Sequence, residues 1–200
     1  AKSFSTQWLA SAYVAIVSII LTFLFARPLG PEVFGSYNYL LTLASLYAML
    51  QDGGFRTLIF RELTSPTFQE IKKSLVPLSI GHNILASITG IVILIILPLK
   101  DSYLLTLAIS SFGLATITTF FSSQLKGEGM FATEARWRIL TRTIGALSVL
   151  IFIFIFTPSI QVILGGTIVG YVVALSIRPS SCKLKIFFKK LSPDVYKSLG

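Results

Sequence analysis

One cysteine, Cys182, and one histidine, His82, are all that the 200 residues offer of the usual soft metal ligands. A single thiol excludes an intrachain disulfide and a multi-cysteine metal site, and a single imidazole leaves no cluster to build. His82 sits in an apolar stretch, where it reads as a hydrogen-bonded packing residue before it reads as a proton relay. Acidic residues are also scarce: eight Asp and Glu, scattered along the chain. No polar segment gathers a nucleophile, a base and an orienting group, so the sequence points to no enzyme and calls for no cofactor.

What fills the space is apolar. Hydrophobic residues make up 54% of the chain and charged residues 12%, with a mean hydropathy of +0.80, well beyond a typical soluble domain. The apolar residues do not alternate with polar ones in stripes. They form unbroken runs of the length that crosses ~30 Å of hydrocarbon.

The first run, Phe4 to Ala26, holds 23 residues without a charge, too long for a cleaved signal peptide. Arg27, Pro28, Gly30, Pro31 and Glu32 then turn the chain back. A second run starts near Phe34 and stays uncharged to Gln51. Continued as a helix to about Phe60, it carries Asp52 and Arg56 into the membrane or its interface. A polar stretch from Arg61 to Ser74 leads to a third run, Leu75 to Leu97, and Lys100 and Asp101 mark a tight turn into a fourth, Tyr103 to Gln124.

The uncharged part of the fifth run, Thr143 to Thr157, is only 15 residues and too short to span. A fifth helix therefore begins near Glu134, carries Arg138 and Arg142 on its first turns, and ends at Pro158. The sixth run, Ile160 to Ile177, places Gly166 and Gly170 at a spacing that lets helices approach closely, a packing feature. The expected fold class is all-α: an integral membrane bundle of six transmembrane helices over residues 1–178. Residues 179–200 form a basic amphipathic segment, read as a cytoplasmic linker or else as a lipid-headgroup sensor.

The formal charge of +9 would suggest nucleic acid in a soluble protein. Here the basic residues fall in alternate gaps between apolar runs, which sets membrane orientation instead. Fifteen of the 17 lie on one side of the six-crossing topology, and only Arg27 and Lys100 fall opposite. Both ends of this stretch are thus expected at the cytoplasmic face, in a multi-pass cell-membrane protein whose nearest partners are lipids.

Two charged pairs are candidates for chemistry. Asp52 and Arg56 are four apart, so on a helix they share a face; they pin the second helix to its neighbours or line a cavity. Arg138 and Arg142 also share a face, continued by Gly145 and Val149. Two guanidinium groups suit phosphate, whereas the plainer reading is the inside-positive rule with Glu134 pairing to Arg138.

The stretch Ala26-Arg27-Pro28-Leu29-Gly30-Pro31-Glu32-Val33-Phe34-Gly35-Ser36-Tyr37 resembles the loop after the first helix of polysaccharide flippases of the multidrug, oligosaccharidyl-lipid and polysaccharide exporter superfamily. Gln51-Asp52-Gly53-Gly54-Phe55, followed by Arg61-Glu62-Leu63, is similar to that family's Asp-x-Gly-Leu pattern and to the Arg ending its second helix, with Phe55 in place of Leu.

The resemblance implies two six-helix lobes around a cavity that opens to each side in turn, of which this stretch supplies the amino-terminal lobe; a second lobe of the same polypeptide is its expected partner. It implies a cargo of polyprenyl-diphosphate-linked oligosaccharide, flipped to the outer face, with Asp52, Arg56, Arg138 and Arg142 as candidate substrate-binding residues. Multidrug relatives often carry an acid in the first helix, and none stands between Lys2 and Arg27. A multidrug or peptidoglycan-precursor exporter, and a non-transporting scaffold for glycan assembly, are the alternative readings.

Overall fold

A computed structural model describes residues 2–64, 69–97 and 101–179, with side chains from residue 5 and, in the third helix, from residue 74. Every regular element among the described residues is a helix: α1 (Lys2–Asp52), α2 (Phe55–Thr64), α3 (Gln69–Ile96), α4 (Ser102–Gly127), α5 (Phe131–Ile155) and α6 (Ile160–Ser176). Lys100, Cys182 and the basic stretch 180–200 lie outside the described residues, so the predicted linker is not seen.

The first two apolar runs form a single helical element with a sharp kink. Pro28 and Pro31 lie within α1, yet the departure from helical geometry sits on Gly30, at φ 71° and ψ 168°. That backbone region is essentially closed to residues with a Cβ. The kink folds the second arm (31–52) back along the first (2–29). Phe25 and Tyr37 meet edge to face with ring centroids 6.3 Å apart, where twelve residues of straight helix would separate them by about 18 Å.

Four helices, the doubled α1 among them, are long and apolar enough to cross a membrane, and α6 adds a shorter apolar helix of 17 residues. The protein is a multi-pass membrane bundle. One correction concerns the second run. It does not continue to Phe60: Gly53 and Gly54 both take positive φ, 53° and 78°, and the turn they make ends α1 at Asp52 and starts the separate α2.

Contacts between helices fix their directions. The Tyr47 ring lies against Gly90, whereas the Leu50 carbonyl, nearly one turn further along, accepts from His82 (2.9 Å), so the second arm of α1 runs antiparallel to α3. Glu134 meets Ser122 and Trp137 the Thr118 carbonyl, while Gly145 lies against Gly170 and Val149 against Gly166, which makes α5 antiparallel to both α4 and α6. The first arm runs parallel to α5, with Gln7 at Glu134 and Tyr13 at Thr143.

The bundle thus has two ends, labelled inner and outer after the orientation expected from the charge distribution. Gln7 meets Phe131, and Leu63 lies against Gly127, at the inner end; Glu32, Ser36, Asp101 and Ile160 border one open depression at the outer end.

Two apolar clusters hold the bundle. One, with Leu21, Phe25, Leu40, Ala44, Ile109, Val149 and Ile163, fills the outer half. The other, with Ile59, Ile80, Phe120, Phe121, Leu125 and Trp137, fills the inner half. Between α5 and α6, a Cβ added to Gly170 would come within 2.8 Å of the Gly145 Cα and one added to Gly166 within 2.9 Å of the Val149 Cα. The glycine pair is a packing device, as its spacing predicts.

Candidate functional site

The four sequence-predicted residues do not form one site. Asp52 and Arg56 are split by the Gly53–Gly54 turn, so the helical spacing that would put them on one face is lost. Asp52 is half-buried at the end of α1, Arg56 is exposed in the first turn of α2, and no ion pair joins them among the described residues. Beside them His82 Nε2–H donates to the Leu50 carbonyl (2.9 Å), one of the last carbonyls of α1, while its ring stacks obliquely on Phe55. His82 also lies where a Cβ on Gly53 would fall, 2.6 Å from Nε2. It is a packing and capping residue at this turn.

Arg138 and Arg142 are brought together, on the inner half of α5, and both reach the first arm of α1. Their face divides: Gly145 and Val149, one and two turns on, pack against α6 instead. Arg138 is held from several sides. Its Nε lies 3.1 Å from Glu134 Oε1, a charge contact without hydrogen-bond alignment, since that N–H has no acceptor. Its Nη2 donates to Gln7 Oε1 (2.9 Å) and to the Gln7 carbonyl (3.3 Å), and its Nη1 to Ser11 Oγ (3.3 Å).

The anchor of this cluster is Glu134, whose importance the sequence only partly revealed. Its side chain has no exposed surface. Ser122 on α4 donates to Oε1 and Gln7 on α1 to Oε2 (2.6 Å), while Lys126 Nζ lies 3.4 Å away. A carboxylate with two cations and two neutral donors is compensated for its burial. The pairing of Glu134 with Arg138 was readable from their spacing of four; the parts of Gln7, Ser122 and Lys126 were not.

Arg142 differs in kind. Its Nη2 donates to Ser18 Oγ at 2.6 Å, its buried Nε has no acceptor, and Tyr37 and Tyr171 lie within electrostatic range of its charge. No carboxylate pairs with it among the described residues. A cation inside a membrane bundle that is held by a hydroxyl and no carboxylate among the described residues retains capacity for an anion.

A second polar cluster, also missed at the level of sequence, lies among α1, α3 and α4. Fully buried Gln51 donates through Nε2 to Ser87 Oγ and to the Ile109 carbonyl (3.0 Å), and its Oε1 has no partner. Gly113 makes room for it: a Cβ there would lie 2.8 Å from Ser87 Oγ. No group of three or more His, Cys, Asp or Glu able to hold a metal occurs among the described residues.

The arrangement offers charge recognition beside a kinked first helix. Comparison with curated proteins and with solved structures gave no match. Comparison with protein families gave one that covers nearly the whole chain, residues 1–196, under the description polysaccharide biosynthesis protein. This is a transporter-type family, in keeping with apolar helices that carry arginines. By that coverage, and with the Gly30 kink and the Gly53–Gly54 turn lying in the segments that carry the flippase resemblance, the chain belongs to the polysaccharide biosynthesis protein family.

Proposed function

We infer that residues 1–178 are one lobe of a carrier that flips a polyprenyl-diphosphate-linked oligosaccharide from the cytoplasmic to the outer face by alternating access. The observation that carries this reading is Arg142, a guanidinium bonded to Ser18, with Tyr37 and Tyr171 within electrostatic range and its buried Nε–H left without an acceptor. A diphosphate crossing the membrane needs its charge met inside the protein, and a planar fork of donors meets it better than an ammonium.

Arg138 stands one turn closer to the inner end as a second cation for the same headgroup. Asp52 and Arg56 stand at the inner mouth, where the cargo loads. The inner end, rich in Arg56, Arg61, Lys126 and Arg136, faces the cytoplasm under the inside-positive rule. Residues 179–200 lead to a second lobe that closes the passage.

The test is complementation of a flippase-deficient strain by the full-length protein. Arg142→Ala is expected to abolish surface polysaccharide at normal protein level, and Arg142→Lys to restore only part of it. Full surface polysaccharide from Arg142→Ala would remove the assignment.

A further inference from the structure

The first arm of α1 is attached to α5 in two unlike ways. Its outer half, with Leu21, Phe25 and Leu29, sits in the apolar cluster. Its inner half is clipped on by polar contacts. Gln7 bonds Glu134 and Arg138, Ser11 bonds Arg138, Tyr13 bonds Thr143 and Ser18 bonds Arg142. Beyond this seam the inner half is open, with Trp8 and Leu9 each 69% exposed.

Three of these residues occupy guanidinium N–H groups with neutral oxygens: Gln7, Ser11 and Ser18. A neutral oxygen is the weaker partner of a cation, and a phosphate oxygen the stronger. Both arginines also keep a buried Nε without an acceptor, so neither is saturated by α1.

Resting on the reading of Arg142 as a headgroup ligand, we propose that Gln7, Ser11 and Ser18 are stand-in ligands, holding the two arginines until the diphosphate of the cargo displaces them. They are positioning residues: they touch the cargo's ligands, not its reacting atoms. Displacement removes the arginine contacts of the inner half of α1, leaving it the bonds of Gln7 to Glu134 and of Tyr13 to Thr143, while the outer half keeps its apolar seat. Loading therefore loosens the inner half of the first arm, and headgroup binding and α1 docking compete for the same donors. Competition of this kind links occupancy to conformation without a separate sensor.

The competition has a sign that a merely structural role lacks. Ser18→Ala takes a competitor from Arg142, so the full-length protein in detergent is expected to bind polyprenyl diphosphate at least three-fold more tightly than wild type. Phosphatidylglycerol, as the ordinary lipid phosphate, gains nothing. In a Cys182→Ser background, spin labels at Trp8→Cys and Leu140→Cys are expected to separate by several ångströms when polyprenyl diphosphate is added. Equal or weaker binding by Ser18→Ala, or an unchanged label distance with the lipid bound, overturns the inference and leaves Arg142 as a ligand. Failure of wild type to prefer polyprenyl diphosphate over phosphatidylglycerol overturns the functional reading and this inference together.

Discussion

Glu134 Oε1 and Arg138 Nε, one turn apart on α5, stand 3.1 Å from each other at a carboxylate with no exposed surface. Three helices meet there, since Gln7 comes from α1 and Ser122 from α4. Glu134→Ala leaves Lys126 and Arg138 facing each other over a vacated acceptor. Breaking a buried pair from one side is expected to destabilise by about 3 kcal/mol. Glu134→Gln retains an acceptor for Ser122 and is expected to lose less. Thermal unfolding of the two variants in one detergent checks the order.

The kink at Gly30 gives a second outcome. At φ 71° and ψ 168° an alanine is strained by about 1–3 kcal/mol, although no atom lies within 4 Å of the added Cβ. Gly35→Ala, also in open space but with ordinary helical φ, is expected to be neutral or slightly stabilising. Equal melting temperatures for the two variants would contradict the kink.

At the α5–α6 contact, Gly170→Ala pushes a methyl to 2.8 Å from the backbone of Gly145, whereas Gly165→Ala meets only Phe152 Cε1 at 3.8 Å. Overpacking is expected to destabilise the first by about 1–3 kcal/mol and leave the second near wild type. The same thermal assay separates them.

Sidedness is tested with cysteines in a Cys182→Ser background. Ser36→Cys, at the outer depression, is expected to react with a membrane-impermeant maleimide on intact cells. Glu128→Cys, in the α4–α5 turn at the inner end, is expected to react only after the cells are opened. The reverse pattern would invert the topology.

Much of this architecture is written in the sequence because hydrocarbon permits few alternatives. The run from Ile160 predicts α6 to within a residue, and the shortage of uncharged length after Thr143 correctly pulls the start of α5 back across Arg138 and Arg142. The Asp52–Arg56 pair was misjudged for a local reason. Periodicity carried the helix on, while two adjacent glycines took left-handed conformations that only the tertiary fold selects.

The site was half legible for a different reason. Glu134 and Arg138 are four residues apart, and their pairing follows from helical spacing alone. Ser18 and Arg142 are separated by 124 residues, and nothing in the period of either helix says that the first arm of α1 lies beside α5. The same holds for Gln51 and its buried partners on α3 and α4. Such contacts come from how helices pack, which sequence patterns constrain only weakly.

The measurement closest to the central claim is movement of a fluorescent polyprenyl-diphosphate-linked oligosaccharide across proteoliposomes carrying the full-length protein. The account predicts transfer by wild type, loss of at least ten-fold in Arg142→Ala, and partial recovery in Arg142→Lys, since a lysine keeps the charge but not the fork of donors. Transfer by Arg142→Ala at the wild-type rate would contradict it, and no transfer by any protein, with the fold intact, would place the chain outside cargo passage altogether.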